Sequence, residues 1–453
     1  MKKLYIQQKV LISFVIFSVL LTGCQKDEEL LENPTSVSTS ANRFNPGSYD
    51  SEILQSWYKM ELKLIQETPG HTPPVAAREL GYTGIALYEA LLVGGTVNNH
   101  SLAGQLNGLQ ALPLRENGKK YAAPEVANAV MARIVKHLFG NISSSNLFSV
   151  DSLEQVGELQ YATMFQTDVM NRSRDFGYQV ADFIYNWSLT DGGHQAYLNL
   201  FPAYTIPVGN GQWMPTPPLY QPPMLPYWGS NRTFVPSNGA GPIDPPASPF
   251  FSVTTGSDFY NYALEVYSTV NSLTPAQQQT ADFWADGGGT FTPPGHNAAI
   301  TLAIIKDQHL NLAQATSLMA KVGVAMNDAA IVCWRAKFNS SLMRPITYIR
   351  DYIDPNWNSY IPTPPFPAYT SGHASFSGAA SKLLTLQFGS NFSFTDSTKI
   401  INGFAPRNFS SFDEAALEAA NSRLYGGIHY KFDNDNGLVC GQRIAANVAA
   451  LNW

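Results

Sequence analysis

Ser422-Arg423-Leu424-Tyr425-Gly426-Gly427-Ile428-His429-Tyr430-Lys431-Phe432-Asp433 is the stretch on which the reading of this chain turns. Arg423 and His429 are six residues apart, and Asp433 stands one helical turn past His429. A carboxylate at that offset can accept a hydrogen bond from imidazole Nδ1, which fixes the tautomer and leaves Nε2 as the free, basic nitrogen. By itself the pair reads equally well as a His–Asp pair on a helix surface.

Two segments upstream carry complementary groups. Trp334-Arg335-Ala336-Lys337 runs on to Arg344-Pro345. Lys337 and Arg344 are almost two helical turns apart, so both cations point the same way if the helix extends that far. Phe366-Pro367-Ala368-Tyr369-Thr370-Ser371-Gly372-His373-Ala374 sets a hydroxyl, an unhindered backbone N–H and an imidazole at the mouth of an expected helix, where anions collect. Alone, the first segment is a solvated basic edge, and the second an ordinary cap by Thr370 or Ser371. Together, Lys337, Arg344, Arg423, Ser371 and Gly372 describe a pocket for a tetrahedral oxyanion. One histidine is placed to bond its central atom and another is available for proton transfer. Burying so highly charged an oxide requires paired cations of this kind.

Taken in order, Lys337-x6-Arg344-Pro345, Ser371-Gly372-His373 and Ser422-Arg423-x5-His429-x3-Asp433 resemble the three-part signature of the type 2 phosphatidic acid phosphatase and vanadium haloperoxidase superfamily. The one departure is Thr370, where the family usually has proline before Ser-Gly-His. Trp334, Phe366-Pro367-Ala368-Tyr369, Leu273-Thr274-Pro275-Ala276-Gln277-Gln278 to Phe283-Trp284, and Pro293-Pro294-Gly295-His296 are similar to the haloperoxidase versions. They extend the likeness over most of residues 50 to 453.

The resemblance implies an all-α fold, with two four-helix bundles in one compact domain and vanadate at the base of a funnel in the C-terminal bundle. It implies His429 as the axial vanadium ligand, oriented by Asp433. Lys337, Arg344, Arg423, Ser371 and the Gly372 N–H would hold the equatorial oxygens. His373 would be the acid–base group for hydrogen peroxide, and Lys337 would polarise the bound peroxide so that a halide leaves as hypohalous acid. Trp334 and Phe366 would line the pocket. The implied cofactor is vanadate and not haem, and the chain has no CxxCH attachment motif.

Phe366 stands where algal bromoperoxidases carry a histidine, so the site is similar to chloroperoxidases and bacterial iodoperoxidases. The bacterial character and Thr370 favour iodide, the easiest halide to oxidise, with bromide second. An acid phosphatase with His429 as nucleophile and His373 protonating the leaving alcohol shares every ligand. A non-catalytic surface lipoprotein binding glycans is the third class, supported only by the aromatic loop described next.

The rest of the chain fits a helical protein. Hydrophobic residues make up 44% and charged residues 14% of 453, enough for a large core. A net charge of −6 without a basic stripe argues against nucleic acid. Helices are expected from Ile53 to Ile65, Ala76 to Leu92, Pro124 to Leu138, two within Glu154 to Asp191, then Tyr260 to Val270, Pro275 to Ala285, Asn297 to Leu310, Asn311 to Asn339, His373 to Phe388, Phe412 to Leu424 and Gly437 to Leu451. Between them, residues 202 to 249 hold thirteen prolines interleaved with aromatics, a packed loop expected to act as lid or channel wall.

Lys2, Lys3 and Lys9 precede an apolar run from Val10 to Leu21, and Leu21-Thr22-Gly23-Cys24 resembles the bacterial lipobox. This implies a signal peptide over residues 1 to 23, lipidation at Cys24 and a flexible tether to residue 50. Gln25 to Glu29 resembles an acidic tag for export to the cell surface. Cys333 and Cys440 are left to pair or to remain buried thiols. Of the remaining histidines, only His296 stands in a suggestive setting, after Pro294-Gly295.

Overall fold

The computed structural model describes residues 44 to 93 and 99 to 453. The signal segment, Cys24 and residues 25 to 43 of the expected tether lie outside the described residues. Among the described residues the chain forms α1 (Glu52–Glu67), α2 (Pro73–Leu91), α3 (Ala123–Leu138), α4 (Ser144–Ala162), α5 (Thr167–Ser188), α6 (Asp258–Asn271), α7 (Pro275–Phe283), α8 (Thr292–Asp307), α9 (Leu312–Ser340), α10 (Pro345–Tyr352), α11 (Gly372–Phe388), α12 (Phe412–Tyr425) and α13 (Lys431–Ala449). Local chemistry sets many of the starts. Ser143, Ser257, Thr274, Asn311 and Ser411 each accept a first-turn N–H through the side chain, and α2, α3, α7, α8 and α10 open on proline.

The 29-residue α9 is the axle of the fold. It is long and apolar enough to cross a membrane by composition, but 89% of that apolar window is buried within the protein, so it is a core helix. On one side it packs against α2, which joins α3 and α5; on the other it packs against α11 and α13, which join α12. The all-α expectation therefore holds, with α9 serving both bundles.

The crossing of α11 and α13 determines the active region. A methyl group on Gly441 would sit 2.2 Å from the Ser375 carbonyl oxygen, and one on Gly378 would sit 2.5 Å from that of Leu438. Only glycine admits backbones this close. The approach brings the start of α11 onto the start of α13, where the Ser371 N–H donates to the Asp433 carbonyl at 3.0 Å.

Several expectations need correction. The helix carrying Lys337 ends within a residue of the expected Asn339, so the condition that it extend to Arg344 is not met. Ser341 adopts a left-handed conformation (φ 43°) and ends α9, and Arg344 precedes a separate short helix, α10. The sequence shows no such helix because its eight residues are too few for a clear period. Helix α8 starts at Thr292, with both prolines in its first turn, α13 starts at Lys431, and α4 starts at Ser144. One antiparallel hairpin pairs Phe394–Asp396 (β1) with Arg407–Phe409 (β2). The tether reading ends before residue 50: Phe44 packs on Phe165, and Leu312 N–H donates to the Tyr49 carbonyl. Cys333 and Cys440 are free, buried thiols.

Replacing Gly441 by alanine is expected to lower stability by about 1–3 kcal/mol through overpacking. Gly288→Ala, where a methyl group meets nothing within 4 Å, is the control. Denaturation midpoints of the two variants check this, and equal midpoints would refute the tight-crossing argument.

Candidate active site

Lys337 lies in the last turn of α9 with no exposed surface. Its Nζ donates to the carbonyls of Pro367, Ala368 and Thr370 at 3.0, 3.1 and 2.5 Å. The segment before α11 is thus wrapped around a single ammonium. Arg344 reaches the same region because the Pro-rich loop staples the turn after α9: Trp213 N–H donates to the Ser341 carbonyl, and Met343 N–H to that of Gly211. Arg344 Nε donates to the Phe366 carbonyl, Nη1 donates to the Ile428 carbonyl, and Nη1 lies 3.1 Å from His429 Nε2. Its Nη2 is buried without a partner.

Gly427 takes a positive φ (74°) between α12 and α13, turning the chain so that His429 enters the gap ahead of α13. Asp433, in the first turn of α13, accepts the Tyr430 N–H and lies 2.9 Å from His429 Nδ1. The pair is buried, which excludes the surface His–Asp reading. With Nδ1–H directed at the carboxylate, the Nε2 lone pair faces the Arg344 guanidinium. Ser371 caps α11, and Gly372, its first residue, lines the cavity; first-turn amides have no partner within their own helix. Arg423 is buried at the end of α12, with Nε on the Ser422 hydroxyl.

Burial acts on every charge here. It lowers Lys337 and brings Arg344 to about 9 and Arg423 to about 10. The Asp433 carboxyl is pushed up by the same desolvation. His429 is held well below the ordinary histidine value by burial and by Arg344, Lys337 and Arg423. His373 is lowered by burial and by Arg423, and its Nε2 is buried without a partner. Lys337 and Arg344 thus both act on the Asp433 carboxylate, while Arg423 faces that of Asp286.

His373, Arg423, His429, Gly372, Trp334 and Phe366 line a cavity of about 670 Å³. Lys337, Arg344, Ser371 and Asp433 stand behind its floor. The proline-rich segment forms a wall through Thr216, Pro217, Pro218, Leu219, Gln221 and Met224, in keeping with the expectation of a channel wall. It is pinned to α9 by Asp328, whose carboxylate accepts the N–H groups of Phe234 and Val235. Trp334 packs on Phe366 at 5.0 Å and donates to the Met224 carbonyl.

Sequence reasoning missed a second polar cluster beside His373. Asp286 lines the cavity with its carboxylate 4.0 Å from His373 Nε2. It bonds His296, which bonds Asp396 in turn, and it pairs with Lys399. Against burial, His296 and Lys399 hold the Asp286 carboxyl far below its usual range, while Asp286 and Asp396 raise His296 to about 9. Of these residues only His296 carried a sequence signal; the others lie 87 and more positions from the residues they serve, or at no regular offset. His71, at the far rim, is held between Glu79 and Asn141.

Residues 317–452 match a family model described as the VCPO second helical-bundle domain. The vanadium chloroperoxidase of Curvularia inaequalis is 24% identical over 493 aligned positions, covering 86% of this chain and 80% of that protein. An apo-type bacterial vanadium-dependent chloroperoxidase shares the fold at 16% identity, with a TM-score of 0.60 over 84% of this chain and 95% of the other. A bacterial vanadium-dependent iodoperoxidase superposes with a TM-score of 0.81 at 34% identity, over 88% of this chain and 96% of that one. With a third of its residues shared across nearly the whole of that enzyme, the chain belongs to the vanadium haloperoxidase family.

Proposed function

We propose that this protein oxidises iodide with hydrogen peroxide to hypoiodous acid, using vanadate held by His429, Lys337, Arg344, Arg423, Ser371 and the Gly372 N–H. The observation that carries the reading is the His429 ring. Its Nδ1 is bound to Asp433 at 2.9 Å and its Nε2 lone pair lies among buried cations. The residues fit the group. Lys337, Arg344 and Arg423 leave a surplus of buried positive charge over Asp433, and Arg344 Nη2 and His373 Nε2 make no hydrogen bond within the protein. A compact, multiply charged oxyanion relieves both costs.

Bound vanadate supplies a Lewis-acid centre that activates peroxide without changing oxidation state. The chain does the remainder. Asp433 keeps His429 in the tautomer that offers Nε2. Lys337, Arg344 and Arg423 offset negative charge as it develops. His373, neutral and facing the cavity, takes the proton from incoming peroxide. Trp334, Phe366 and the proline wall make the sides of the site apolar and limit water around its charged floor.

Iodide as the substrate is supported by the greater likeness to the iodoperoxidase than to the chloroperoxidases, and by Phe366 rather than histidine against the cations. An exported lipoprotein, attached through Cys24 to the outer membrane and facing the cell surface, is supported by the lysine-rich start, the apolar run and Leu21-Thr22-Gly23-Cys24.

Full-length protein stripped of metal and given orthovanadate is expected to turn over iodide, bromide more slowly, and to be blocked by phosphate. His429→Ala should cut turnover at least about a hundredfold. Phosphomonoester hydrolysis without halide turnover would replace this reading by the phosphatase. Because His373 must be neutral to accept a proton and its pKa is held below 6.5, turnover should persist as pH falls through 6.5. It should be lost only at the lower pH where His373 is protonated; an acid limb in the pH profile above 6.5 contradicts this. Cys24→Ser should abolish incorporation of labelled fatty acid and move the protein from the membrane to the soluble fraction.

A further inference from the structure

The reaction described above uses neither His296 nor the hairpin inserted between α11 and α12, yet both lie directly behind the acid–base histidine. His296 is fully buried in α8. Its Nδ1 is 2.9 Å from the Asp286 carboxylate and its Nε2 is 2.9 Å from the Asp396 carboxylate, which comes from β1. A neutral imidazole has one N–H, so one ring nitrogen would meet a carboxylate oxygen lone pair to lone pair. Protonation of a carboxyl would relieve that, but both carboxylates are held as anions. Asp286 pairs with Lys399, and Asp396 accepts the N–H and hydroxyl of Thr398 at 2.9 and 2.7 Å. The arrangement satisfies every group only if His296 carries both protons. Trp284 stacks on the ring at 4.5 Å, a face that favours a cation.

Two carboxylates and two cations then form a closed, neutral quartet, and its one open side faces the site. There the Asp286 carboxylate stands 4.0 Å from His373 Nε2. The other charged or titratable groups around His373 are Arg423 from α12, His296 from α8 and His429 from the segment before α13.

We propose that His296 is a positioning residue of the reaction, locked as an imidazolium between Asp286 and Asp396 so that the Asp286 carboxylate is fixed against His373. The hairpin that supplies Asp396, together with Lys399 just beyond β1, is thereby part of the active site's support. The role deepens the peroxidase reading and rests on it, because the acid–base duty of His373 belongs to that reading.

Two measurements on the full chain test this. The first is magic-angle-spinning NMR of vanadium-free protein labelled with 15N-histidine, with His296 assigned by its loss in His296→Gln. Both ring nitrogens are expected to be protonated at pH 8, where an ordinary imidazole is neutral; a single neutral tautomer overturns the proposal. The second is the pH profile of iodide oxidation in Asp396→Asn, which keeps the side-chain shape but removes one anion. His296 then becomes neutral near pH 7, and loss of its positive charge lets His373 keep a proton to higher pH. The acid limb should move up by about one unit, so that kcat at a pH below the limb falls about tenfold while kcat near neutral pH is little changed. KM for iodide should stay within about twofold. Asp396→Glu should restore the wild-type profile. A profile unmoved in Asp396→Asn, with only the denaturation midpoint lowered, overturns the proposal in favour of a purely structural role. Absence of turnover in the wild type fails the peroxidase reading itself, whereas turnover with an unmoved profile fails this one alone.

Discussion

A buried ammonium with three backbone carbonyls around it is the constraint on which the active region depends. Lys337 has no access to water, and the lost hydration is replaced by Pro367, Ala368 and Thr370. Those carbonyls belong to the segment that ends in Ser371, Gly372 and His373, so solvating the cation also places the His373 imidazole at the cavity. Arg344 does the same for a second pair of segments, through the carbonyls of Phe366 and Ile428. Main chain holds the cations, and side-chain carboxylates are scarce around them.

The helical frame makes this arrangement possible. Glycines at the α11–α13 crossing bring two helix starts together, and the Ser371–Asp433 backbone bond joins them. Asp433 then serves both its own helix start and His429. Around this floor, the proline-rich wall is tied to α9 through Asp328 and through Arg335, which pairs with Asp244 at 2.5 Å. A segment without regular structure thus becomes a fixed surface, because its polar backbone groups are satisfied by the longest of the described helices.

Much of this was legible from short spacings. The offset from His429 to Asp433 spans one turn, and its hydrogen bond is present in the folded chain. The Ser-Gly-His step does open a helix, because Ser371 can cap and Gly372 suits the first turn. The period of apolar residues located most helices to within a few positions. It failed at Ser144, Thr292 and Lys431, where serines, prolines or charged residues occupy first turns that have no clear apolar stripe. The three-residue strands Phe394–Asp396 and Arg407–Phe409 are too short to show alternation.

The sequence by itself determined the kinds of groups available, their local tautomers and caps, and the helical class, because these depend on contacts within about one turn. Tertiary structure alone decided that Lys337 and Arg344 converge although the helix between them ends at Ser340. It also decided that Asp286, Asp396 and Lys399 gather around His296, and that the proline-rich segment closes one side of the cavity. Those contacts join residues ten to more than a hundred positions apart. Their geometry comes from how helices cross and which charges must find partners once water is excluded, and no periodicity along the chain records it.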